Sequence, residues 1–577
     1  MRMTRRAAAL CLGAAALEAG AHRRRMRELA AADRVTVRQE KGWYMHSAGI
    51  AALGGELVCT YRRSDEHIAS EVEVWSARSR DGGRTWTDHR MITRLAWEPD
   101  KACWVAPQLS RTRDGRLLLI VDRGEKLHKF DWPMLSQWQM KDRGMSNWLL
   151  VSGDGGRTWD GPRKIDDAGG EPSYIVELSN GVWMYTRTDS RPTQAKKNPA
   201  MPWGPRYYRS TAVFSDDQGK SWKRTAPLAD DPLVGDCEVG VAEYAPGKLL
   251  AITRIGDAGS SLGQPSRFVF SGDFGATWSK PVLSPIYAHR PCVKPLRSGK
   301  LFVTYRNAWG TTGTCAMVLD PAEKHSYQPN SMIWEESCCE IRDGAMEIRT
   351  KEGRESAVEF TLYPVEDDDS EVEFEAELRV ASAARNACHI SAGAWVRFLP
   401  GRVELADDPA RGFSIDASRW RRYRIVNSGR VLRIFADGEK RLECPADRIF
   451  TRHVRFGNRP GVRAPAAKAA RKPGRQPLRG MWYEDNAGVS FWRRLRVQVR
   501  NRRDHSIDWR WDAGEGYPDQ FRRDRVIRLE KNGSFSHGDS GYSSWDQLPD
   551  GTVVVADYTA GDPPLDHPAL RAYRLRV

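Results

Sequence analysis

A short apolar run, a turn built on glycine and a second apolar run return six times along this chain. The six stretches read HSAGIAALGGELVCTYR, APQLSRTRDGRLLLIVDR, EPSYIVELSNGVWMYTR, CEVGVAEYAPGKLLAITR, HRPCVKPLRSGKLFVTYR and YSSWDQLPDGTVVVADY. Their turn glycines are Gly55, Gly115, Gly181, Gly247, Gly299 and Gly551. Glycine between two strand-like runs marks a hairpin because the tight turn needs positive φ. Six hairpins of one design predict a radial array of six blades, with roughly 190 residues lodged before the last one.

A second motif follows the hairpins. SRDGGRTW stands at Ser79–Trp86 and SGDGGRTW at Ser152–Trp159, with looser copies SDDQGKSW at Ser215–Trp222 and SGDFGATW at Ser271–Trp278. Asp and Ser side chains bond the backbone of a tight turn, Gly supplies the unusual dihedral, and Trp packs between neighbouring sheets. The octets are therefore expected to staple blade edges rather than to do chemistry. Between about Met332 and Val499 the texture changes. SAVEFTLYPV, SEVEFEAELRVAS, ISAGAWVRF and RYRIVNSGRVLRIFADGEKRL alternate like half-buried antiparallel strands. The basic, proline-rich Arg463–Gly480 reads as an exposed loop within that region.

The expected fold class is thus all-β: a six-bladed β-propeller with an inserted β-sandwich jelly roll. The expected divisions are an export-like segment over 1–30, blades one to five over 31–331, the sandwich over 332–500 and the last blade over 501–577. A length of 577 residues with 40% hydrophobic content and 22 Trp fits more than one globular, aromatic-rich β unit. The formal charge of +15 favours acidic ligands. Nucleic acid is not expected, because zinc-finger spacing, RNP motifs and helix-turn-helix patterns are absent from the sequence. The ten cysteines form no CxxC pair, so they read as buried free thiols and not as a zinc site. The acidic stretch Pro364–Glu371 invites a calcium guess, but a charged solvated turn explains it, and no metal or cofactor is expected. The start of the chain pairs Arg5 and Arg6 with an apolar run from Ala7 to Leu17, which resembles a twin-arginine export signal and implies a secreted or periplasmic protein. An amphipathic helix is the alternative, in keeping with Glu18 and the Arg23–Arg25 cluster. No other run is long and apolar enough to span a membrane.

The octets resemble the Asp-box (BNR) repeats of the sialidase superfamily, and the sandwich stretch resembles laminin-G or concanavalin-like modules. The first resemblance implies an exo-acting glycoside hydrolase for a glycan bearing a terminal acidic sugar. A carboxylate nucleophile would be repelled by the substrate's own carboxylate, so this family uses a Tyr activated by a Glu. Arginines clamp the substrate and a separate acid protonates the leaving oxygen. On that resemblance DSGYSSWDQLPDG places Tyr542 as nucleophile, CEVGVAEYAPGKLLAITR gives Glu238 and Arg254, and YRRSDEH gives Arg62 or Arg63 with Asp65 as acid/base. The fifth blade offers Arg290 from HRP, which is preferred, and Arg306 from the strand end. Arg62, Arg254 and Arg306 occupy one repeat position, so they could also be a repeated structural device.

The family opens its first inner strand with an Arg-Ile/Leu-Pro motif, whereas WYMHSAGI puts His46 there. A neutral imidazole cannot grip a carboxylate as a two-pronged guanidinium does. His46 therefore enters as a pocket residue and keeps two alternatives open. One is a His-dependent rhamnosidase or rhamnose–glucuronate lyase of a sialidase-like propeller family. The other is a non-catalytic glycan-binding propeller.

Overall fold

The computed structural model describes residues 23–67, 69–129, 144–192, 206–255, 265–307, 313–333, 335–353, 356–363, 370–446, 454–461, 483–500, 506–532, 540–561 and 565–577. The twin-arginine stretch, Cys11, most of the acidic turn at 364–371 and the basic loop at 463–480 lie outside these residues.

The sheets form a six-bladed propeller. Blade one runs Tyr44–Leu53, Glu56–Ser64, Glu71–Ser79 and Thr87–Ala96. Blade two pairs Ala102–Trp104 and Gln108–Arg111 with Leu117–Glu125, followed by Met145–Ser152 and Asp160–Asp166. Blade three is Val176–Glu177, Trp183–Pro192, Arg206–Ser215 and Arg224–Ala229. Blade four is Asp236–Ala245, Lys248–Ile255, Arg267–Ser271 and Val282–Leu283. Blade six consists of Ser544–Gln547, Val553–Thr559 and Ala569–Leu575, with Arg34–Arg38 as its outer strand. That borrowed strand ties one end of the propeller to the other, and the Ala48 amide bonding the Tyr542 carbonyl at 3.0 Å joins blades one and six. Apolar inner strands pack blade against blade in clusters such as Val58, Val74, Leu109 and Leu119 between blades one and two.

Blade five departs from the expected layout. Its strands Ala288–Pro295, Leu301–Asn307 and Gly313–Leu319 are completed by Val526–Lys531, with Arg27–Glu28 added in parallel at the edge. The insertion therefore lies inside blade five, not between blades five and six. The boundary expected at 500/501 moves accordingly, because Ile507–Asp512 pairs with Gly488–Arg500 in the inserted unit. Residues 27–30, expected to be export-like, include a short strand of the propeller.

The inserted unit is two antiparallel sheets of seven and eight strands. They share one core that includes Phe360, Phe374, Phe398, Phe456, Trp492 and Trp509.

The four octets bond alike. In the first, Asp81 Oδ1 accepts from the Ser79 hydroxyl at 2.8 Å and from the Thr85 amide at 2.9 Å, while Oδ2 accepts from the Thr85 hydroxyl at 2.7 Å. Asp154, Asp217 and Asp273 repeat this with their own Ser and Thr or Ser partners. Each octet links the third strand of its blade to the outer one. In blade one the left-handed turn residue is Gly54, one position before the expected Gly55. The nine cysteines among the described residues are buried free thiols.

Candidate active site

The inner strands start with a shared irregularity. In blade one His46 pairs with Arg62 and Gly49 with Thr60, so Ser47 and Ala48 together oppose one residue. Blade four does the same between Cys237 and Gly240, and blade five between His289 and Cys292. The first bulged residue is left-handed each time: Ser47 at φ 49°, Glu238 at φ 45° and Arg290 at φ 47°. Blade three places Glu171, at φ 52°, between Gly170, bridged to Thr188, and Ser173, bonded to Thr186. In blade six the position belongs to Gly541 at φ 86°, directly before Tyr542. Non-glycine residues rarely adopt this conformation, and bulges re-aim side chains at functional sites.

These bulges bring together residues far apart in sequence. The Tyr542 hydroxyl donates to Glu238 Oε1, which also holds the Arg254 guanidinium at 2.7 Å. Arg306 and Arg290 lie against the Tyr542 ring, with guanidinium carbons 4.5 and 5.5 Å from its centre. The His46 ring centre is 5.1 Å from that of Tyr542. Burial opposes ionisation of Glu238, but Arg254, then Arg290 and Arg306, hold its carboxyl well below the usual range. Burial pushes the Tyr542 phenol up, reinforced by the Glu238 charge. Burial, followed by the charges of Arg62, His67, Arg306 and Arg290, drives His46 well below its ordinary value, so the imidazole is neutral. Its Nδ1 bonds the Ser47 hydroxyl, and its Nε2 is buried without a protein partner.

The remaining candidates divide. Arg62 is buried near His46 and donates to the carbonyls of Val105 at 3.2 Å and His67 at 3.0 Å. Arg63, next along the strand, faces the other way. It bonds Glu40 at 2.7 Å and Glu73 at 2.5 Å and stacks 3.3 Å from the Trp43 ring centre, outside the axial group. The Asp65 carboxylate accepts from the amides of Glu66, Ser70 and Glu71 and from the Ser70 hydroxyl, so its own loop fixes it.

Sequence reasoning passed over three neighbours. Asp122 Oδ1 accepts from the Ala106 amide at 2.7 Å, and its Oδ2 accepts from the Glu171 amide at 2.9 Å, clamping the starts of two inner strands. Asp557 accepts from the Gly541 amide at 3.1 Å and from the Thr314 hydroxyl, fixing the backbone beneath Tyr542. Glu171 sits close enough to sense Glu238, Arg254 and Arg290; burial and then the Glu238 charge push its carboxyl up to about 8. The available signal was the repeat itself, since EPSYIVELSNG opens on Glu171 much as CEVGVAEYAPG and HRPCVKPLRSG open around Glu238 and Arg290. Among the described residues no cluster of His, Cys, Asp and Glu could hold a metal ion.

Residues 55–310 match a family model described as a BNR repeat-like domain. Among solved structures the chain is similar to a Dyadobacter fermentans protein of unknown function, at 17% identity and a TM-score of 0.41, over 57% of this chain and 93% of that one. It is also similar to a Trypanosoma rangeli sialidase in complex with sialic acid, at 11% identity and TM-score 0.34, over 82% and 95% of the two chains. A third is NanB sialidase from Streptococcus pneumoniae, at 11% identity and TM-score 0.37, over 57% and 67%. The chain thus carries a BNR repeat-like domain within a six-bladed β-propeller.

Proposed function

We propose that this protein is an exo-acting glycoside hydrolase that releases a terminal acidic, sialic acid-like sugar with retention of configuration. The observation that carries the reading is the Tyr542 hydroxyl bonded to an ionised Glu238 beneath Arg290 and Arg306. Tyr542 attacks the anomeric carbon while Glu238 takes the phenol proton, giving a covalent glycosyl-tyrosine. On the resemblance Asp65 is the acid/base: entering the step with a proton taken from solvent, it passes that proton to the departing oxygen and recovers one from the water that hydrolyses the intermediate. Arg62, Arg254, Arg290 and Arg306 supply more positive charge than Glu238 cancels, and an anionic sugar restores the balance. Export is proposed on the twin-arginine-like start of the sequence alone.

The test is fluorogenic release from a sialoside beside a panel of uronate and rhamnose glycosides. Tyr542→Phe is expected to lower kcat on the cleaved substrate by roughly 1,000-fold or more while binding persists. An unchanged rate overturns the mechanism, and saccharide retention without turnover by the unaltered protein points to a binding propeller instead. The buried, unpartnered Nε2 of His46 favours one second reading, a His-dependent rhamnosidase or rhamnose–glucuronate lyase. There His46→Ala is inactive and Tyr542→Phe survives; a lyase also releases an unsaturated product absorbing in the near ultraviolet.

A further inference from the structure

One side chain from blade three enters the axial group without a part in the mechanism above. Glu171 holds the same left-handed bulge position as Glu238 and Arg290. Its backbone is pinned on both sides: the amide by Asp122, and the following Pro172 carbonyl by the Arg290 guanidinium at 2.6 Å. Such a costly conformation, held from blade two and, across the axis, from blade five, fixes where the carboxyl goes. Its Oε2 is buried and has no protein hydrogen-bond partner. An ionised carboxylate with a bare, buried oxygen beside a second carboxylate is costly, whereas the uncharged acid keeps an O–H for a ligand.

Resting on the glycosidase reading, we propose that Glu171 is a specificity residue of the axial site: its uncharged carboxyl donates a hydrogen bond to the bound sugar and leaves the surplus positive charge of the arginines for an anionic one. Ionised Glu171 would cancel part of that surplus and repel the sugar's carboxylate. The groups facing it come from every neighbouring blade. Asp122 lies on blade two, Tyr208 on blade three, Cys237, Glu238 and Arg254 on blade four, Arg290 on blade five and Tyr542 on blade six. Burial pushes Cys237, Tyr208 and Tyr542 up, and Glu238 is held low, which leaves as rival titrating groups Asp122 and, beneath Tyr542, Asp557, whose carboxyl burial pushes up to about 7.

The experiment measures Kd by calorimetry for free sialic acid and free glucuronic acid between pH 6.5 and 9.5, on the full chain carrying Tyr542→Phe. Affinity for the acidic sugar is expected to fall roughly 30-fold across that range as Glu171 ionises. Adding Glu171→Gln abolishes the fall, whatever affinity that variant starts from, and Glu171→Asp, which keeps a carboxyl, retains it. A pH-independent Kd overturns this proposal alone, as does a fall that persists in Glu171→Gln, which would pass the role to Asp122 or Asp557. Absence of acidic-sugar binding at every pH overturns the glycosidase reading beneath it.

Discussion

Replacing Gly541 by alanine tests whether the approach of blades five and six positions Tyr542. A Cβ at this residue would stand 2.2 Å from Arg306 Cβ and 2.6 Å from Arg306 Cα, where ordinary contact begins near 3.4 Å. The far end of a flexible side chain could swing aside, but these atoms move only with the backbone of blade five. The required separation displaces Tyr542 or Arg306 by about 1 Å, a shift that costs on the order of 100-fold in rate when it falls on a catalytic group. Left-handed strain adds about 1 kcal/mol and overpacking about 1–3 kcal/mol. Gly551 supplies the control. It is equally left-handed, at φ 87°, but nothing lies within 4 Å of its added Cβ, so Gly551→Ala bears the strain alone. Thermal unfolding and turnover on the cleaved glycoside are measured for both variants. Gly541→Ala is expected to melt roughly 2–5 °C lower and to lose about 100-fold in kcat, with Gly551→Ala near the unaltered protein in rate. Equal melting points and equal rates for the two would refute the reasoning that close packing against Arg306 sets the position of Tyr542.

Asp236, fully buried two residues before Glu238, accepts from Thr253 at 2.6 Å and from Arg267 Nε at 3.0 Å. Asp236→Ala leaves the buried Arg267 guanidinium with Asp231 alone and should destabilise the fold by about 3–5 kcal/mol in denaturant unfolding; a loss under about 1 kcal/mol would contradict it. Burial opposes ionisation of Asp81 in the first octet, yet bonds from Thr85, Ser79 and Arg84 hold its carboxyl at about 2. Because the native value is depressed, its stabilisation is present above the ordinary carboxylate range and is lost as pH falls through about 2. Asp81→Asn should therefore lose less melting temperature than the unaltered protein between pH 5 and pH 2, and an identical acid response would remove the staple role.

The propeller was readable because it is written locally. Each octet contains its own Asp acceptor and its own Ser and Thr or Ser donors, so Ser79–Trp86 specifies its turn without reference to the rest of the chain. The place of the insertion was not readable for the opposite reason. Gly313–Leu319 leads to no octet, and its partner Val526–Lys531 lies beyond the whole sandwich. Only the hydrogen bonds between these strands identify VIRLEK as an outer strand of blade five, whereas its sequence resembles any short alternating strand. Ile507–Asp512 carries the same ambiguity, and its alternation could have served either unit.

The site divides along the same line. A resemblance named Tyr542, Glu238 and Arg254 as one group, and the fold brings the three into contact; Arg62 was separated from Arg63 only by strand alternation, which sends one inward and the other onto Trp43. Glu171 was hidden because no chemical pattern surrounds it; what selects it is a backbone conformation shared by blades. A β-bulge is invisible to a reading based on alternation, since it is the point at which alternation fails. In this propeller the failure recurs at the start of inner strands, and there the left-handed residues Ser47, Glu171, Glu238 and Arg290 adjoin or form the axial group. Strain that a structural strand would discard is kept in four blades, and it directs side chains that a regular pleat would turn into the packing between sheets. The same conformation in blade six is left to Gly541, since the aiming there is done by the next residue and Arg306 leaves no room for a Cβ. The chemistry of the site is thus set less by which residues the repeat contains than by where each strand breaks its own period.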